Sequence, residues 1–97
     1  QALHVFYKNY QKHTLFIITE KPAEVYERIR ISTHHGATLF HGTGLYKKEE
    51  RSMVYSVVSS DELRHVLAEV RRVDDHAFVN ILKTDQFTGR FYHRPTD

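Results

Sequence analysis

No cysteine occurs among these 97 residues, so a disulfide, a thiolate-bound metal and a cysteine nucleophile are all excluded. The lack of thiols is compatible with a reducing compartment. No apolar run approaches the roughly 18 residues that a membrane span requires, so the expectation is a soluble piece. There is no glycine before Gly36, and a glycine-rich phosphate cradle is therefore missing from the first third of the chain. An excess of one charge is lacking too. Fourteen basic and 12 acidic residues leave a net charge of +2, spread along the chain and not gathered into the stripe of a nucleic-acid binder. An initiator methionine is also absent, and a chain opening at Gln1 suggests a segment of a longer protein.

What is present suits one globular core. The hydrophobic share is 40% and the charged share 27%, ordinary for a folded domain of this length. Leu3, Phe6, Tyr7 and Tyr10 share one face of a short N-terminal helix, and Gln11-Lys12-His13 reads as a break. Thr14 to Thr19 is an apolar, β-branched run that suits a central strand. Pro22 stands at a first helical position, followed by Val25, Tyr26 and Ile29 at helical spacing, with Gly36 as the stop. Thr38 to His41 is a short strand, Lys47 to Arg51 a charged hairpin turn, and Met53 to Val58 a third strand. Ser59 and Glu62 form a capping box before a helix whose stripe is Leu63, Val66, Leu67 and Val70. Asp74-Asp75 ends it, and Ala77 to Leu82 is the last strand.

The expected fold is thus α+β: a ferredoxin-like βαββαβ domain over 13–97, preceded by a linker helix over 1–12. Its sheet has four antiparallel strands with two helices on one face.

This topology hosts many chemistries, and the residues exclude several. Metal carriers built on it place a Cys-x-x-Cys pair after the first strand, where this chain has Thr19-Glu20-Lys21-Pro22. Acylphosphatase-like enzymes need a glycine-rich first turn of free N–H groups, and Pro22 removes one. RNA-recognition motifs carry an aromatic signature on the third strand, of which only Arg51 and Tyr55 are matched. Of eight histidines, His34, His35 and His41 form the only local cluster, without the spacing of a zinc motif. We read the first two as a solvated helix end and the third as a strand-face residue. No serine sits in a nucleophile elbow, and the adjacent acids Glu49-Glu50 and Asp74-Asp75 read as solvated turns. No catalytic residue, metal site or cofactor is expected.

Two stretches could bind. Gly42, Gly44, Tyr46, Lys47, Lys48 and Arg51 could let a small anionic ligand approach the backbone and meet cations, or could simply shape a hairpin. Arg90, Phe91, Tyr92 and Arg94 could stack on a base, rest on a membrane surface, contact a neighbouring subunit or cover the sheet.

The ordered set TLFIITEKP (14–22), GATLFHGTG (36–44), YKKEER (46–51), VYSVVSSDEL (54–63), DDHAFV (74–79) and GRFYHRP (89–95) resembles the C-terminal domain of the YitT family of bacterial multi-span membrane proteins. The resemblance implies a cytoplasmic domain following the last transmembrane helix, with a fold similar to the PII-like signalling proteins. In those proteins effectors bind near the loop joining the second and third strands, often between subunits. Members of the family often carry a glycine in the charged turn, where this chain has Lys47-Lys48-Glu49-Glu50. The function this implies is a non-catalytic regulatory domain that binds a small anionic ligand or self-associates beside the transmembrane part of its own chain. A structural oligomerisation module is the alternative, and single-stranded nucleic-acid binding through Tyr55, Phe91 and Tyr92 a weaker one.

Overall fold

The first strand, β1 (Lys12–Thr19), lies in the middle of the sheet, as its apolar run requires. The structure, a computed structural model, describes residues 11–85 and Thr88. The expected N-terminal helix and the tail from Gly89 lie outside the described residues. The remaining elements are α1 (Pro22–Thr33), β2 (Thr38–Gly44), β3 (Glu49–Ser59), α2 (Ser60–Val73) and β4 (Phe78–Thr84). The sheet order is β2-β3-β1-β4, with every pair antiparallel. This is the expected ferredoxin-like arrangement.

Both helices pack on one face. Leu15 and Ile17 of β1 meet Val54 and Val58 of β3, Val25 and Ile29 of α1, Val66 and Val70 of α2, and Ala77. The core is wholly aliphatic. The aromatics of the strands lie on the opposite face, because side chains alternate along a strand. Phe16, Tyr55 and Phe40 form a row across β1, β3 and β2, with ring centroids 5.5 Å apart for the first pair and 6.5 Å for the second. Registry puts Ile18, Met53, Val57, Phe78 and Leu82 on that same open face.

Element ends differ from the sequence reading in instructive ways. His13 and Lys12 extend β1 and do not break it, since Lys12 pairs with both Ser59 and Thr84. Helix α1 is stopped by His34 at φ 64°, two residues before Gly36, with the His34 N–H closing on the Arg30 carbonyl at 2.9 Å. The hairpin turn is Leu45–Lys48, so Glu49, Glu50 and Arg51 belong to β3. The cross-strand pairs Gly42 with Arg51 and Gly44 with Glu49 carry the ladder further than hydropathy alone suggested.

Candidate functional site

The C-terminal end of β1, the start of β3 and the start of β4 converge at one end of the sheet. There the β1–α1 turn, the base of the β2–β3 hairpin and the α2–β4 turn enclose a cleft of about 470 Å³. Asp74 ties its walls together. Its carboxylate accepts the Thr19 hydroxyl at 2.6 Å and the His76 N–H at 3.0 Å. The Thr19 hydroxyl and the His76 and Glu20 N–H groups, with the charge of Lys21, hold Asp74 below the usual carboxylate range despite some desolvation. Thr19 Oγ1 in turn accepts the Lys21 N–H at 3.0 Å, and Lys21 Nζ reaches the Val73 carbonyl at 3.3 Å. The amides of the first turn are therefore committed within the protein.

Around this hub the lining carries both charges. Lys21, Arg51 and His76 face Glu20, Glu50 and Asp75. A cleft of this kind suits a ligand with an anionic group and hydrogen-bond donors of its own.

Of the expected binding residues, Arg51 lines this cleft and the others do not. Tyr46 is almost fully exposed in the turn, beside Lys47 and Lys48. Gly42 and Gly44 are ordinary strand residues opposite Arg51 and Glu49. Gly44 still has a reason to lack a side chain, because a Cβ there would lie 3.1 Å from Arg51 Nε. It leaves Arg51 room to pack across the hairpin. The left-handed position in the turn belongs to Lys48, at φ 56°. The other expected contact residues, Arg90, Phe91, Tyr92 and Arg94, lie outside the described residues.

Sequence reasoning overlooked Lys21, Asp74 and His76 as one group. Only an aspartate at a turn, two residues before an N–H it accepts, hinted at the hub. The three local histidines are dispersed: His34 is exposed on the helix cap, His41 is exposed on β2, and His35 is buried. The solvated reading of His35 is thus corrected. Its Nε2 lies 2.9 Å from Glu62 Oε1, and both side chains are buried beneath the α1–β2 loop and the start of α2. Among the described residues no three His, Asp or Glu side chains converge as a metal donor set. Among the described residues, no helix is long and apolar enough to cross a membrane.

Comparison with known proteins places the chain. Residues 35–89 match the model of a family described as an uncharacterized protein conserved in bacteria (DUF2179). Over 91 residues the chain is 29% identical to the UPF0750 membrane protein YitT of Bacillus subtilis, covering 94% of this chain and 32% of that protein. It is 28% identical to the UPF0750 membrane protein YxkD of the same organism over 68 residues, covering 70% of this chain and 24% of that one. The chain thus spans about a third or less of the curated relatives it matches. A functionally unknown protein from Pediococcus pentosaceus superposes with a TM-score of 0.66 at 19% identity, covering 84% of this chain and 98% of the other. A DUF2179 protein from Eubacterium ventriosum does so with a TM-score of 0.62 at 24% identity, covering 73% and 97% respectively. At these identities the structural likeness is one of fold. The family match covers more than half of the sequence, and the chain belongs to the DUF2179 family, as a domain homologous to part of the YitT-type membrane proteins.

Proposed function

We propose that this chain is a non-catalytic regulatory domain on the cytoplasmic face of a bacterial membrane protein. In this reading it binds a small ligand with an anionic group in the cleft around Arg51 and biases the membrane part between states. The observation that carries this reading is the convergence of Lys21, Arg51 and His76 in one cleft of about 470 Å³. Lys47 and Lys48 stand beside it in the hairpin turn, where they steer an anion toward Arg51 without lining the cleft. The acids of the lining, Glu20, Glu50 and Asp75, select for hydroxyl or amino groups on the same ligand.

Titration of the isotope-labelled chain with nucleotides, sugar phosphates and inorganic phosphate tests this. Chemical-shift changes should centre on Lys21, Arg51 and His76. Arg51→Gln should weaken the responding ligand by about tenfold, the loss expected when a charge-assisted hydrogen bond is removed. A folded protein that responds to none of the panel removes the proposal.

A second reading, an assembly module, is favoured by β2. It is an edge strand whose residues Thr38 to Thr43 are all exposed. Beside it runs an apolar groove of about 280 Å³, lined by Ala23, Tyr26, Leu39 and Val54 among others. An unprotected edge with an apolar groove is suited to pairing with another strand. Sedimentation of the isolated domain separates the two readings.

A further inference from the structure

Strand β2 closes the sheet on one side and lacks the features that keep a bare edge from pairing. Its seven residues, Thr38–Gly44, include no lysine, arginine, aspartate, glutamate or proline, whereas the opposite edge, β4, carries Lys83. Its pairs with β3 run one for one from Thr38–Tyr55 to Gly44–Glu49, so no bulge turns the edge away. Leu39 on the helix side is 46% exposed and Phe40 on the open face 48%, so apolar side chains flank the bare backbone on both faces.

Gly42 indicates the occupant. Glycine weakens a strand, and among the described residues nothing calls for one here. Its φ is not left-handed, and a Cβ added to it would meet no atom within 4 Å. A strand glycine of this kind marks the close approach of something beyond the edge. A second β2, paired antiparallel about a two-fold axis, supplies it. Because side chains alternate, the axis must pass through a residue for both faces to continue from one copy to the next. Centred on His41, the fourth of the seven residues, it aligns the whole strand; one residue to either side, it leaves two residues of each strand without a partner. In the full register Phe40 stands opposite Gly42 of the second copy, twice by symmetry, and an aromatic ring covers the backbone that a cross-strand glycine leaves bare. Continued by one residue, the register brings Leu45, which is 80% exposed, opposite Ala37 of the second copy. Ala37 lines the apolar groove beside β2, together with Ala23 and Tyr26 of α1.

We infer that two copies of this chain join edge to edge through β2, about a two-fold axis at His41, into one eight-stranded sheet. This rests on the assembly reading above and specifies its surface, symmetry and register. Self-pairing sets no lysine, arginine or carboxylate of β2 opposite its like. A strand from another protein would have to bring its own aromatic to Gly42, whereas a second copy carries Phe40 there already in register. The axis stands perpendicular to the sheet, so the four helices of the pair share one face and the aromatic rows share the other.

The absence of cysteine makes the test clean. Sedimentation of the 97-residue chain should show a dimer forming as concentration rises. On mild oxidation His41→Cys should cross-link to a covalent dimer, since directly opposed Cα atoms lie about 4.5–5.5 Å apart, within disulfide reach. Thr43→Cys alone should not, because its two copies stand about 13 Å apart along the strands. Thr43→Cys mixed with Leu39→Cys should give the mixed cross-link, which fixes the register. Gly42→Val should weaken association about tenfold or more, as the added side chain meets Phe40 at two symmetric places, while the thermal midpoint in dilute protein does not fall. A chain still monomeric at roughly 1 mM removes this inference and the assembly reading together. A dimer that gives no cross-link at position 41, or one that Gly42→Val leaves intact, overturns this surface and register while the assembly reading stands.

Discussion

Glu62 shows how one residue serves two structures. Its carboxylate accepts the Ser59 N–H at 3.0 Å, the return arm of the capping box that starts α2, and also faces His35 at 2.9 Å. Burial acts to raise its pKa, but the His35 hydrogen bond, the Ser59 backbone and hydroxyl, and the charge of His35 outweigh it. The net effect brings Glu62 from 4.5 to about 2. A carboxylate whose folded pKa lies below its unfolded one adds stability that is complete above the unfolded value and fades as pH falls through the folded one. The chain should therefore lose on the order of 3 kcal/mol between about pH 4.5 and pH 2 through this group alone. Glu62→Gln should flatten that part of the profile, read from urea midpoints across the same pH range. An unchanged slope would show that another carboxylate is responsible. Half of this was legible in sequence, because a capping box is a local pattern. The His35 contact spans 27 residues and was not.

At the scale of elements, the hairpin is where local and distant forces trade places. Lys48 sits at φ 56°, a region that costs a side chain about 1 kcal/mol and glycine almost nothing. Lys48→Gly should raise stability by about 0.5–1 kcal/mol in denaturant titration. A fall in stability would show that the lysine side chain contributes more than its backbone costs. Among the described residues the elements themselves were legible: the four strands and two helices stand in the order that periodicity gave them, and capping residues marked the start of α2. Their ends were less so. The ladder to β3 keeps polar Thr43 and Gly44 extended, and pairing of Lys12 with strands on both sides extends β1 through residues that look like loop. Backbone hydrogen bonding across a sheet is indifferent to hydropathy.

At the scale of the molecule, two helices over four strands cover the centre and leave the edges bare. Leu39 on β2 and Ile81 on β4 face the helix side yet remain 46% and 41% exposed. If β2 pairs with a second chain, Leu39→Lys should abolish concentration-dependent association in sedimentation equilibrium without lowering the thermal midpoint by more than a few degrees. Association that persists in this variant would place the contact elsewhere.

By itself the amino-acid order determined the succession of strands and helices between Lys12 and Thr84, the side of each of these helices that turns inward and the absence of thiol chemistry. All of these depend on spacings of four residues or fewer, or on composition. Only the tertiary structure decided that Thr19, Arg51 and Asp74 border one cleft, that His35 is buried against Glu62, and that the core is aliphatic while the aromatics share the far face. Those outcomes follow from strand order and register. Register is set by the sum of many weak pairings across the sheet, and no short stretch of chain contains it.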